Sequence, residues 1–251
     1  MLIKAIIGTA VAAGLLVATQ LGAAASADPY ASGSAGYDYS YVQCGQPAPA
    51  LSFGVVGVNA GYPFTYYNTC LGAEFSDAPA SSAALYVNTG YDPSYTAIDG
   101  RHTTQDCADA SASVAATPAQ QGAWAVGCSE AERDASYATS QGASANPAAW
   151  WLDVETANSW SASDLSLNRY TLQGVIDELR LLSASPIGVY STSAQWQQIT
   201  GGYHPAVDGT WIATGQRSLK RARPFCTASS FSGAPVWLVQ YVATYDHDYA
   251  C

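Results

Sequence analysis

The chain has 251 residues and a net charge of −10, with only 11% of its residues charged. That length suits one domain with a sizeable core, and the acidic balance argues against nucleic acid and anionic membranes as partners. The one basic cluster, Arg217, Lys220, Arg221 and Arg223, reads as a solvated loop.

The N-terminus carries one cation, Lys4, before an uncharged run over residues 5–21 and a small-residue stretch ending Ala25-Ser26-Ala27. This is the form of a secretory signal with a small-x-small cleavage site, so residues 1–27 are expected to be removed. A membrane anchor is the rival reading. The Gly- and Ala-rich composition and the following A-x-A weaken it, and no later run has spanning length. The mature protein is therefore expected to be extracellular, without membrane contact after cleavage, and monomeric. Residues 28–36 (DPYASGSAG) read as a Gly/Ser/Ala leader with no core-forming residues, expected to be disordered.

Residues 37–41 (YDYSY) alternate like a strand, and residues 53–59 (FGVVGVN) give a dense buried-strand signal. Part of the following aromatic stretch, residues 68–75, has helical character. Residues 84–88 (ALYVN) form the next strand signal. Pro118 suits a helix start, and Ser129 with Glu132 three residues on predicts a capping box for a helix ending near Ser140. Residues 150–156 (WWLDVET) form a short strand with Leu152 and Val154 on one face and Trp151, Asp153 and Glu155 on the other. Ser163 or Asn168 can cap a helix running through Leu182, whose Leu172, Val175, Ile176, Leu179 and Leu182 are expected to share a face. Residues 187–190 form a strand, residues 193–199 a helix, and residues 211–213 and 236–241 two further strands. The chain closes on Asp246-His247-Asp248-Tyr249, which reads either as a metal-like cluster or as a solvated terminal turn. Short apolar strands separated by helices or long connections predict an α/β fold: a single-domain, irregular TIM-type (β/α) barrel over residues 37–251.

Six cysteines, Cys44, Cys70, Cys107, Cys128, Cys226 and Cys251, lack zinc spacing and imply disulfides in an exported chain. Fifteen pairings are possible. Pairing of sequential neighbours is expected, because a barrel keeps adjacent units adjacent in space. No metal and no cofactor are expected: the three histidines, His102, His204 and His247, form no metal-ligand motif.

The candidate chemistry lies on the Asp153–Glu155 strand. A helix-covered barrel turns its inner strand face toward an open mouth, and two acids at i and i+2 are then close enough to shift each other's ionisation. Paired acids beside aromatics are the working parts of glycoside hydrolysis. Glu155, flanked by the indole of Trp150 or Trp151 and facing Asp153, is expected to have its pKa raised and to act as the acid. Asp153 and Asp38 are expected to stay ionised through hydrogen bonds from nearby tyrosines. The 17 Tyr and 7 Trp against 5 Phe and one Met suit a sugar ligand, with its apolar faces and polar rim. Trp211 and Trp237 are expected in the core. Trp151, Tyr190, Tyr241 and Tyr62 are expected in the cleft, with Asn59 and Asn88 as polar contacts at strand ends. No G-x-S-x-G elbow supports a serine hydrolase.

In this order, the landmarks Tyr37-Asp38-Tyr39-Ser40, Asp153-Val154-Glu155, Gly188-Val189-Tyr190 with Trp196, Trp211-Ile212-Ala213, and Gln240-Tyr241 before Asp246 and Asp248 resemble the family 25 glycoside hydrolases. These are the Chalaropsis-type lysozymes, and the likeness is to their secreted bacterial relatives. It spans the expected mature chain and implies an irregular (β/α) barrel with its acids at the mouth. By motif position it implies that Glu155 is the general acid and Asp153 its stabilising neighbour. Asp38 matches the first-strand acid and Asp246 the acid on the last segment. The implied reaction is cleavage of the β-1,4 bond after N-acetylmuramic acid in peptidoglycan. The chain departs from the pattern at Asn59-Ala60-Gly61, where the family carries an acid, and at Tyr86-Val87-Asn88, where it carries a tyrosine–histidine pair. The stretch between Tyr241 and Asp246 is also short. A non-catalytic glycan-binding protein on the same scaffold is the competing expectation.

Overall fold

In the computed structural model, which describes residues 26–243 and 245–251, eight strands close into one barrel in sequence order. They are β1 (Ala35–Tyr39), β2 (Phe53–Gly57), β3 (Ala83–Asn88), β4 (Trp150–Asp153), β5 (Ile187–Ser191), β6 (Gly209–Gln216), β7 (Val236–Val242) and β8 (Asp246–Ala250). The first seven pair in parallel with their neighbours, and β8 runs antiparallel to both β7 and β1. The short link from Val242 to Asp246 dictates that reversal, since a parallel partner needs a crossover of a dozen residues or more. The expected barrel is present. Its closing strand had no sequence signal, because Asp246-His247-Asp248 lacks an apolar run.

Alternation along each strand separates two cores. Inside the barrel pack Phe53, Val55, Ala84, Trp151, Trp211, Trp237, Leu238 and Ala250. Outside, Val56, Leu85, Trp150, Leu152 and Val189 meet the helices. Those helices are α1 (Leu71–Asp77), α2 (Gln105–Ser111), α3 (Pro118–Ser140), α4 (Leu165–Leu182) and α5 (Ser193–Thr200), with a short turn, α6, at Leu219–Ala222. Helix α3 is one continuous helix capped by Thr117 and Gln120 with Pro118 in its first turn, so Ser129 lies mid-helix and is not the expected cap. Helix α4 is capped by Asp164 rather than Ser163 or Asn168; Asn168 is buried and donates to the Ser161 and Ile199 carbonyls instead. Helices α3 and α4 approach at backbone distance through Gly127 and Gly174. A Cβ on Gly127 would lie 2.0 Å from the Thr171 carbonyl oxygen, and one on Gly174 would lie 2.1 Å from that of Trp124.

Three disulfides join Cys44 to Cys70, Cys107 to Cys128 and Cys226 to Cys251, the sequential pairing expected. The leader does not match its expectation. Tyr30 is buried and plugs the base of the barrel, where its hydroxyl accepts a 2.9 Å hydrogen bond from the Trp151 indole. Gly33 adds a backbone bond to Ala250, and β1 starts at Ala35. One aromatic in a Gly/Ser/Ala stretch is enough to order it, because the barrel bottom would otherwise leave Phe53 and Trp151 open to water. The expected signal segment falls on residues 1–25, outside the described residues, apart from its last two positions.

Candidate active site

Parity along the strands aims the acids. On β1, Tyr37 and Tyr39 pack outward, which turns Asp38 into the barrel. On β4, Leu152 and Val154 join the outer core, so Asp153 points inward and Glu155 follows just past the strand end. Because β8 is antiparallel, its first residue, Asp246, lies level with the last residues of the parallel strands. Asp248 sits one layer deeper, paired with Gly36 of β1.

Asp38, Asp153, Glu155 and Asp246 therefore line one cavity of about 140 Å³ at the C-terminal mouth, together with Tyr86, Tyr190, Trp211 and Gln240. Residues from seven strands and Glu155, just past the β4 end, meet there, the position where this architecture places its sites. Asp153 is buried; the Asn88 side-chain amide donates to its Oδ2, while its Oδ1 has no partner among the described residues. Tyr190 donates to Gln240 Oε1 at 2.9 Å, and Gln240 Nε2 donates to Asp38 Oδ2 at 3.0 Å. Glu155 is only partly buried, and its Oε1 accepts from Gln195 Nε2 at 3.3 Å. Gln195 Oε1 in turn accepts from the Thr156 hydroxyl at 2.8 Å, which holds the amide in place.

Burial governs the ionisation of this group. It raises the Asp38 carboxyl to about 7, with the neighbouring Asp246 charge adding to the effect. It holds Asp153 well above the usual carboxylate range, with Glu155 and Asp38 as further causes. Asp248 is pushed well up in the same way by burial and then by Asp38, and Asp246 is raised by burial. Asp153 and Asp38 are therefore not held ionised by tyrosines, as the sequence led one to expect. Tyr190 spends its proton on Gln240, and the side chains that donate to the two acids are the neutral amides of Gln240 and Asn88.

Four expected contacts lie elsewhere. Trp151 faces inward but one layer too deep, fully buried against Tyr30, Trp211 and Trp237. Trp150 packs in the outer core, so neither indole flanks Glu155. Asn59 is fully buried: its amide donates to Asp134 of α3, and its Oδ1 accepts from the Asn88 backbone at 2.7 Å. Tyr62 packs edge-on with Phe64 and Tyr66 and does not line the cavity. Gln240 points inward, so its neighbour Tyr241 faces out and stacks on His247. Asn88 touches Asp153 but stands behind it, so it braces an acid rather than facing the mouth.

Sequence reasoning missed Tyr86, Gln240, Trp211, Asp248 and Gln195 as site residues. Tyr86 shares parity with Asn88, and Gln240 is a polar residue inside the apolar run of β7; both signals were available. Gln195 is on α5 and gave none. Among the described residues, three metal-ligand atoms cluster at Cys107, Cys128 and Glu132, where a disulfide occupies both sulfurs.

The sequence family described as Lysozyme-like protein 1 matches residues 112–213, from just before α3 into β6 and across the Asp153–Glu155 strand. No curated protein sequence matches the chain. Among solved structures, the muramidase from Trichobolus zukalii superposes with a TM-score of 0.53 at 13% identity, covering 86% of this chain and 93% of its own. The bacterial lysozyme from Streptomyces coelicolor gives 0.51 at 15% identity, covering 87% of this chain and 92% of its own. The family GH25 lysozyme from Aspergillus fumigatus gives 0.53 at 12% identity, covering 87% and 93%. This chain shares the fold of these muramidases and lysozymes. Within that barrel, Asn59 and Asn88 are buried residues that link α3 to the β4 acid. They change what stands behind Asp153 and leave the rim of the cavity acidic.

Proposed function

We propose that the protein is a secreted, muramidase-like glycoside hydrolase acting on the β-1,4-linked glycan of peptidoglycan, with Glu155 as the proton donor. The observation that carries this reading is the shared cavity: four carboxyl groups from β1, the β4 end and β8 line one small opening at the barrel mouth. Glycoside hydrolysis needs one carboxyl to deliver a proton to the leaving oxygen and another to stabilise an oxocarbenium-like centre. Glu155 lies just past the β4 end and is partly exposed, as Asp38 and Asp246 are, and Gln195 fixes one of its oxygens. Burial holds Asp153, beneath it, well above the usual carboxylate range in the free protein. As Glu155 gives its proton to the leaving oxygen, the ionised form of Asp153 balances the positive charge developing at the sugar, which divides the acid and counter-ion roles between the pair. Asp38 and Asp246 form a second bank of acids in the cavity, with Asp248 beneath them, and Gln240 holds Asp38. The superposed muramidases and lysozymes support the same substrate class. Removal of residues 1–27 during export fits the three disulfides, which need an oxidising compartment.

Release of reducing ends from purified bacterial walls tests the assignment. Glu155→Gln is expected to abolish it while leaving the far-UV circular dichroism unchanged; retained release removes Glu155 from the acid role. The replacement of the expected acid and histidine by Asn59 and Asn88 favours one second reading, a non-catalytic glycan-binding barrel. Calorimetric binding of wall fragments with no reducing ends from the unaltered protein would select it.

A further inference from the structure

We propose that the pocket lined by Thr156, Asn158, Trp160, Ser161, Gln198 and Ile199 is a second saccharide subsite, taking the next sugar of the glycan held over Glu155. This rests on the glycan reading above and extends it to substrate length. The acid cavity measures only about 140 Å³, whereas cavities that enclose a small ligand run to roughly 300–1,000 Å³. A polymeric substrate must therefore be held outside the acid cavity as well. The second pocket measures about 340 Å³ and begins one residue beyond Glu155.

Its lining has the chemistry of a sugar site: one indole, two hydroxyls and two amides around a single aliphatic floor. A pyranose presents apolar C–H faces and a rim of hydroxyls, which such a mixture matches. The Trp160 ring is fixed, since its Nε1 donates to the Glu155 carbonyl at 2.8 Å and its body packs on the outer core. A fixed ring loses little freedom on binding. One side chain also bridges residues of the two cavities. Gln195 holds the Glu155 carboxyl with its nitrogen and Thr156 with its oxygen, so the acid and the pocket's first residue are linked through one amide.

The test is calorimetry at two chain lengths, using peptide-free wall glycan fragments of two and four sugars in a Glu155→Gln background that prevents turnover. The four-sugar fragment is expected to bind about tenfold tighter than the two-sugar fragment, a gain of roughly 1.4 kcal/mol. Ala162→Trp and Gln198→Trp, at two exposed positions on the pocket rim, fill the space from opposite sides. Each is expected to bring the ratio close to one. Persistence of the length preference in both filled variants, or equal binding of the two lengths before filling, overturns the subsite and leaves the glycan reading standing. Absence of binding at either length overturns the glycan reading and the subsite with it.

Discussion

Asp38 carries the free-energy conflict of the site at the scale of one residue. Its carboxyl is raised to about 7 in the fold, chiefly by burial, from an unfolded value near 3.8. Between those two values the folded state holds more protons than the unfolded chain, so stability falls as pH rises. The contribution is fully present below about pH 4 and is lost by the time pH passes 7. Asp134, also raised to about 7 by burial, has the same sign. Thermal melts from pH 4 to 7 are therefore expected to show a decline that Asp38→Asn partly flattens. At pH 7 that variant should melt higher by about 2–4 °C, the equivalent of roughly 1 kcal/mol in a chain of this size; an unchanged slope would remove Asp38 from the account. Gln240→Leu tests the neighbouring bridge. It strands the Tyr190 hydroxyl and Asp38 Oδ2, so a cost of about 1–3 kcal/mol is expected in chemical denaturation. Wall cleavage should fall with it. The sequence marked both Asp38 and Gln240 as landmarks but not their contact, because only barrel closure reveals that positions 38, 190 and 240 face one another.

Elements were legible in proportion to how much their burial relies on large apolar side chains. Strands β2 to β7 announced themselves through Val, Ile, Leu and Trp runs. Strand β8 did not: its inward residues are Asp246, Asp248 and Ala250, and only pairing with β7 and β1 makes it a strand. Helix α3 was read in fragments for a related reason. Its large buried apolar side chains, Trp124 and Val126, lie in one turn, and the other buried positions are Ala, Gly, Cys, Ser and two acids, Glu130 and Asp134, a composition with little apolar periodicity. The acids are explained by what they hold. Glu130 accepts from the Phe64 backbone at 2.9 Å, where Phe64 has a φ of 77°, and Asp134 holds Asn59. A non-glycine residue in that backbone region persists only with such support. The small residues are explained by the α3–α4 contact. Gly127→Ala places a methyl carbon against the Thr171 carbonyl oxygen, so helices that now touch must separate. A loss of about 1–3 kcal/mol is expected, read as a lower denaturant midpoint. Substitution of the exposed Leu181 on α4 should cost within about 0.5 kcal/mol, which controls for general sensitivity of the helix.

For the molecule as a whole, the question is what keeps a barrel closed when its last strand is short, polar and antiparallel. Ala250 supplies the only apolar inward side chain of β8, so apolar burial contributes little there. Two fixtures compensate. Tyr30 plugs the base, where the N-terminal segment bonds to Ala250 and Cys251, and the Cys226–Cys251 disulfide ties the chain end to the β6–β7 connection. Because β8 carries Asp246, the same fixtures hold one of the four cavity acids in place. Residues 30–33 and Cys251 thus brace the site from the base of the barrel. A cross-link closing 25 residues stabilises by about 3 kcal/mol in the chain-entropy account. Replacing both cysteines by serine is therefore expected to lower global stability by about that amount. The sharper expectation concerns order of loss. With its tether gone, β8 is the strand with least apolar burial and should open before the remainder of the barrel. Wall cleavage should then decline at temperatures where far-UV circular dichroism is still native, and amide exchange should quicken first over residues 246–250. Coincident loss of activity and secondary structure would mean instead that the barrel opens as one unit and that β8 has no separate stability of its own.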